Sequence, residues 1–279
     1  MPERAQGAAL FADISGFTPL TEALAAELGP KRGAEELTRH LNQVYDALVA
    51  ELHRYGGSVI SFAGDAITCW LDGDDCTRAT ACALAMQRVM QRFAEVRTAS
   101  GRTVALAMKA AVATGAVSRF VVGDPNCCLI DAMAGRLLDR LAAAEHMAAQ
   151  GEVILTPEAA AAMKGRVEIP AWRADEESGD RFAVVGSLTV AVPEHPWSTL
   201  LPEALTEEQA RPWLLPPVYQ RLHSGQGEFL AELRPAEALF LRFGGIDYDH
   251  DPAAREKLEL ESQQQIEELA PLRSEYIQV

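Results

Sequence analysis

This 279-residue chain lacks any uninterrupted apolar run near the roughly 18 residues that a membrane-spanning helix needs, so no membrane partner is expected. Its opening residues, Met1-Pro2-Glu3-Arg4-Ala5-Gln6-Gly7, hold no apolar stretch of the secretory kind, and no leader is expected. Cysteine is sparse and unpatterned. The five present (Cys69, Cys76, Cys82, Cys127 and Cys128) are odd in number and lack zinc-site spacing, which points to reduced, mostly buried thiols in a cytoplasmic protein. The six histidines are scattered, and none is expected to bind metal. Basic charge is in deficit: 25 Lys and Arg against 40 Asp and Glu leave a net charge of −15, which argues against nucleic acid or an anionic membrane as partner. A polyanionic substrate would need metal ions and a few local cations to enter that field.

What is present suffices for a packed core, since 48% of the residues are hydrophobic. Residues Ala8–Ile14 form an apolar run that reads as a buried strand. Thr18-Pro19 then gives a cap-like residue and a proline suited to a first helical turn. Leu37, Leu41, Val44, Tyr45, Leu48, Val49 and Leu52 recur at three- and four-residue spacing, so Gly33–Tyr55 is expected to be a helix with one broad apolar face, ended by Gly56-Gly57. Ser58–Phe62 and Ala66–Leu71 read as two strands joined by a tight turn at Ala63-Gly64-Asp65. Asp72-Gly73-Asp74-Asp75 reads as a solvated loop and N-cap for a helix over Cys76–Val96. Further on, the expected elements are strands Val104–Val117, Arg119–Gly123, Glu152–Leu155 and Phe182–Val185, with a helix over Ile130–Ala149 and a helix start at Thr156-Pro157-Glu158. The order suggests an α+β fold of the ferredoxin-like βαββαβ kind.

Two stretches carry the chemistry. Leu10-Phe11-Ala12-Asp13-Ile14-Ser15-Gly16-Phe17-Thr18 and Ser61-Phe62-Ala63-Gly64-Asp65-Ala66 each set an aspartate at an apolar run beside glycine, where a ligand can approach the backbone closely. If the two strands pair, Asp13 and Asp65 converge into a site for a hard divalent cation such as Mg²⁺. A helix starting near Thr18 would aim free N–H groups at the same place, making Ile14 to Thr18 a candidate phosphate cradle. Lys109 is a lone charge in an apolar strand; alone it would read as a strand-face residue turned to water.

These residues support a family resemblance. Phe11-Ala12-Asp13-Ile14-Ser15-Gly16-Phe17-Thr18, with Gly56-Gly57 and Phe62-Ala63-Gly64-Asp65-Ala66, resembles a class III nucleotidyl cyclase catalytic domain. The nearest type is the first domain of the bicarbonate-responsive soluble adenylyl cyclases, which carry two cyclase domains in tandem. The resemblance implies two Mg²⁺ ions, replaceable by Mn²⁺, held by Asp13, Asp65 and the Ile14 carbonyl. It implies that Gly16, Phe17, Thr18, Gly64 and Lys109 bind the substrate ATP, with the backbone of Gly16, Phe17 and Thr18 on the β- and γ-phosphates and Lys109 near the triphosphate. The asparagine–arginine pair of homodimeric relatives has its nearest counterparts at Ala132 and Arg136, with Arg140 as another candidate, and Arg136 is taken as catalytic. Ser61 replaces a base-reading lysine, which leaves ATP and GTP undistinguished by the chain's own residues and puts bicarbonate sensing in doubt.

These departures are those of a metal-binding half, active with a second cyclase domain in trans, in a longer chain, or as a homodimer. The alternative is a catalytically silent regulatory module that binds nucleotide and metal and dimerises. The catalytic domain is expected over residues 6–190 and a proline-rich linker over 191–235. Residues 236–279 are expected to begin a second, cut-short domain. There Ala238-Leu239-Phe240-Leu241-Arg242-Phe243-Gly244-Gly245-Ile246 echoes the first motif, with Arg242 in place of Asp13, ahead of a helical Pro252–Leu269.

Overall fold

The computed structural model describes residues 4–125, 128–199, 201, 204–225, 245–251, 253, 254, 256–258 and 260. Its centre is strand β1 (Arg4–Ser15), buried on both faces. Ala8, Leu10, Ala12 and Ile14 enter one core and Ala5 and Ala9 the other, which is why this strand is continuously apolar rather than alternating.

Helix α1 (Phe17–Arg54) follows, then the hairpin of β2 (Ser58–Ala63) and β3 (Ala66–Asp72), and helix α2 (Thr77–Met90). Two short strands, β4 (Val96–Arg97) and β5 (Thr103–Val104), lead into the long strand β6 (Ala107–Asp124). β1 pairs antiparallel with both β3 and β6, and β2 pairs antiparallel with β3. The resulting order β6-β1-β3-β2 is the ferredoxin-like arrangement expected from the sequence.

The chain then extends this frame. β7 (Cys128–Ala134) folds back on the far half of β6, helix α3 (Arg136–Met147) follows, and β8 (Val153–Leu155) pairs parallel to β6. Helix α4 (Pro157–Ala162), β9 (Val167–Glu168), β10 (Ala171–Ala174), β11 (Arg181–Val184) and β12 (Ser187–Leu188) complete it. Side chains of α1, α2 and α4 fill the core on one face, among them Leu20, Leu48, Leu52, Met86 and Ala159. α3 covers the other face with Leu137, Leu141 and Ala144, over Trp70 and Phe182.

Several elements differ from expectation. The helix expected over 130–149 is two elements: Leu129 to Ala134 pair with β6, and only Arg136–Met147 is helical, the break falling at Gly135. The helix expected over 33–55 starts at Phe17 and is kinked, because Gly29 takes a non-helical φ of 78° immediately before Pro30. The strands expected at 104–117 and 119–123 are one strand from 107 to 124. The helix expected over 76–96 ends at Met90, followed by a 3₁₀ turn at Gln91–Phe93. At its start, Asp74 accepts the backbone N–H groups of Arg78 and Ala79, so the acidic loop does cap the helix.

The proline-rich segment crosses the end of α1. His195 N–H donates to Arg54 O at 2.9 Å, and the Trp197 indole N–H donates to Gly57 O at 2.7 Å. Two short helices follow, α5 (Glu207–Ala210) and α6 (Pro216–His223). Near the C-terminus Asp249 reaches the start of α3, accepting the Arg136 backbone N–H on Oδ2 at 3.0 Å. Cys127, Arg242 and most of the expected partial repeat and its helix lie outside the described residues.

Candidate active site

β1 delivers Asp13 to one end of the sheet, and its two neighbours fix what surrounds it. Asp13 stands opposite Ala66 on β3 and opposite Lys109 on β6. Asp65, the residue before Ala66, occupies the β2–β3 turn, where Gly64 takes a φ of 65°. Its carbonyl accepts the Ile14 N–H at 3.3 Å, which ties the turn to the end of β1. The two aspartates therefore converge by strand pairing, as the motifs suggested.

Gly16 ends β1 and opens α1 with φ 106° and ψ −7°, and no side chain caps the helix. The first N–H groups of α1, from Phe17 and Thr18, thus start beside Asp13 at the positive end of a long helix. Ser15 Oγ donates to the Ala107 carbonyl and accepts from Gln150 Nε2 at 2.8 Å, bracing the same turn.

The backbone pairing sets Asp13 and Asp65 next to each other, and the donors they and the Ile14 carbonyl offer are hard oxygens. That chemistry fits Mg²⁺ or Mn²⁺ better than a softer metal. Among the described residues no group of three or more His, Cys, Asp or Glu could hold a metal. A cation does stand beside Asp13: Lys109 Nζ lies 3.5 Å from Asp13 Oδ2 and 2.5 Å from Glu145 Oε1. The hydrogen bond to Glu145, supported by the charges of Glu145 and Asp13, holds the Lys109 pKa above its ordinary value.

Two participants escaped the sequence reading. Glu145 comes from the last turn of α3, 36 positions from Lys109, and only packing of α3 across the sheet brings them together. Tyr45 comes from α1; its ring lies 6.3 Å from Phe17 and edge-on to Phe62 at 5.2 Å. Its buried hydroxyl has no hydrogen-bond partner, and burial, with the charges of Asp65 and Asp13, pushes its pKa up. Helical spacing signalled Tyr45 as core, and nothing in the sequence tied it to the aspartates.

Arg136 and Arg140 are not brought to the aspartates. Arg136 opens α3, nine residues and about 14 Å of helix from Glu145. Both arginines line a cavity of about 240 Å³ with Arg4 and Glu158, and Arg140 pairs with Glu158. The stripe of α3 that faces the neighbouring cleft is Leu138, Leu141, Ala142 and Glu145, at one-turn spacing. That cleft, about 370 Å³, is closed on its other sides by Phe11, Ser61, Thr68 and Met133 among others. Beside it the sheet exposes Phe62 at 57% and Ile130 at 54%.

This architecture matches known proteins. No family model matches the chain. The guanylyl cyclase Cya2 superposes with a TM-score of 0.54 at 19% identity, over 66% of this chain and 93% of its own. The adenylyl cyclase CyaB from P. aeruginosa gives 0.51 at 22% identity, over 66% and 95%. The fold is that of the class III nucleotidyl cyclase domains.

In sequence the chain resembles the soluble adenylyl cyclases: adenylate cyclase type 10 of Oryctolagus cuniculus is 31% identical over 159 residues, 54% of this chain. The match spans only 9% of that relative's length. No described helix is long and apolar enough to cross a membrane.

Proposed function

We propose that this chain is the metal-binding half of an adenylyl cyclase, converting ATP to 3′,5′-cyclic AMP and pyrophosphate once a second cyclase domain completes the cleft. The observation that carries this reading is the convergence of Asp13, Asp65 and the Ile14 backbone at the mouth of α1, with Lys109 beside them. Asp13, Asp65 and the Ile14 carbonyl would hold two Mg²⁺ ions, with Mn²⁺ able to substitute. Bound there, the ions would acidify the ribose 3′-hydroxyl and neutralise charge on the departing pyrophosphate.

The chain's own groups do the positioning. Backbone N–H groups of Gly16, Phe17 and Thr18 would take the β- and γ-phosphates, because a helix N-terminus favours anions. Gly64 keeps the Asp65 turn narrow, and Lys109 supplies a local cation within a chain of net charge −15. The 3′-oxygen attacks the α-phosphorus in line, the bond to the bridging β-oxygen breaks, and the hydroxyl proton passes to solvent. The attack is intramolecular, so no covalent enzyme intermediate is required. ATP is preferred to GTP because the sequence relatives are adenylate cyclases. A cytoplasmic setting belongs to the same reading, supported by the free, buried thiols of Cys69, Cys76 and Cys82.

The partner is a second cyclase domain or another copy of this chain. Within one protomer Arg136 faces away from the aspartates, so any catalytic part for it would be played across an interface. One observation favours the rival reading of a silent, dimerising module: the cleft is faced by Ser61, Leu138 and Ala142, where base- and ribose-binding groups would be needed.

Cyclic AMP formation with Mn²⁺ and ATP, with and without an added complementary cyclase domain, separates the two. The half-site reading expects little activity alone, activity on complementation, and a loss of about 100-fold or more in Asp13→Ala. Superlinear activity of the chain alone would instead establish a working homodimer, and silence in both settings would leave the regulatory module.

A further inference from the structure

Strand register forces Lys109 against Asp13. The two residues are direct partners across the β1–β6 ladder, so an ammonium is always within reach of the carboxylate proposed to bind metal. Left to themselves, they would close into an ion pair, and the lysine would compete with any divalent cation for Asp13. In the structure the ammonium is shared between two carboxylates, pairing with Asp13 but more closely with Glu145. The ammonium sits 2.5 Å from Glu145 and stands back to 3.5 Å from Asp13.

The geometry points to Glu145 as a positioning residue that competes with Asp13 for Lys109, loosening that pair so that a divalent cation can displace the ammonium from the Asp13 carboxylate. This rests on the reading of Asp13 as a metal ligand. Helix stability gives no competing reason for Glu145, because an acidic side chain in the last turn of α3 opposes the helix dipole. Its side chain is only 13% exposed, less than Asp13 at 27% or Lys109 at 26%, so it is the anchored member of the three. Its other basic neighbour is the solvent-facing His146, with Nδ1 3.4 Å from Oε2. A metal ion at Asp13 would repel the ammonium, and Glu145 offers it a place to withdraw without entering bulk water. An ammonium has three donors and one flexible stem, so the transfer needs only rotation of the lysine side chain.

The test is direct Mn²⁺ binding to the full chain without nucleotide, read from the electron paramagnetic resonance signal of free Mn²⁺. The variants are E145Q, K109M, the double variant K109M/E145Q, and D13A. E145Q should weaken Mn²⁺ binding about three- to tenfold as Lys109 closes on Asp13. K109M should bind at least as tightly as the wild type, and adding E145Q to it should change affinity less than about twofold. That coupling separates positioning from a general loss of negative charge. An unchanged E145Q, or an equal penalty with and without Lys109, overturns the inference. Binding that survives D13A removes the metal reading itself and this inference with it. Loss in D13A alone removes only the role of Glu145.

Discussion

Replacing Gly16 with alanine should damage both the fold and the proposed phosphate cradle, by an amount that can be worked out from two separate costs. Gly16 holds φ 106°, and placing an L-residue there costs about 1–2 kcal/mol. The added Cβ would also lie 2.3 Å from the Ala105 carbonyl oxygen and 2.9 Å from Leu106 Cδ2. The first of these is backbone, so relief requires moving the β1–α1 turn, at about 1–3 kcal/mol by analogy with overpacking. The sum, about 2–5 kcal/mol, corresponds to a fall in melting temperature of roughly 4–20 °C for a domain of this size. Gly73 supplies the control, with a φ of 63° and no atom within 4 Å of where a Cβ would stand. Gly73→Ala should carry only the conformational cost, a fall of about 2–8 °C. Thermal unfolding followed by circular dichroism measures both, and nucleotide binding to Gly16→Ala at low temperature reads the cradle. Equal melting shifts in the two variants would refute the argument that close approach of residue 105 fixes Gly16.

Two further outcomes follow from charge and burial. Hydrogen bonds from Thr77, then Arg166, hold the Asp75 carboxyl down at about 2, against an ordinary 3.8. Its folded value is the lower one, so its contribution is full above about pH 4 and is lost as pH falls toward 2. Asp75→Asn should remove that part of the acid slope in urea unfolding, by less than about 1 kcal/mol because the carboxylate is largely exposed. Burial pushes the Cys69 and Cys76 thiols up to about 12 and raises Cys82 well above its usual range. None of the three should react with Ellman's reagent in the native protein at pH 8, and all should react on unfolding; rapid native modification of any one would contradict its burial.

The sequence disclosed the ferredoxin-like frame and both aspartates because each rests on local signals: continuous apolar runs, glycine turns and one long amphipathic stripe. It misled at Leu129-Ile130-Asp131-Ala132-Met133-Ala134. These residues are good helix formers, yet pairing with β6 makes them a strand, an instance of tertiary context overriding propensity. Once α3 begins at Arg136, its cleft-facing stripe runs through Leu138, Leu141, Ala142 and Glu145, and the arginines turn elsewhere. Glu145 and Tyr45 were illegible for a different reason: their relation to the site depends on which helix covers which face of the sheet, and no short-range pattern encodes that.

The scaffold does not need the side chains it presents. Asp13 joins both neighbouring strands through its backbone, and Asp65 receives Ile14 through a carbonyl rather than its carboxylate. Alanine or asparagine at either place would leave those ladders intact, so an idle copy of this domain and a working one would superimpose. Backbone similarity therefore cannot sort active members of this fold from retired ones.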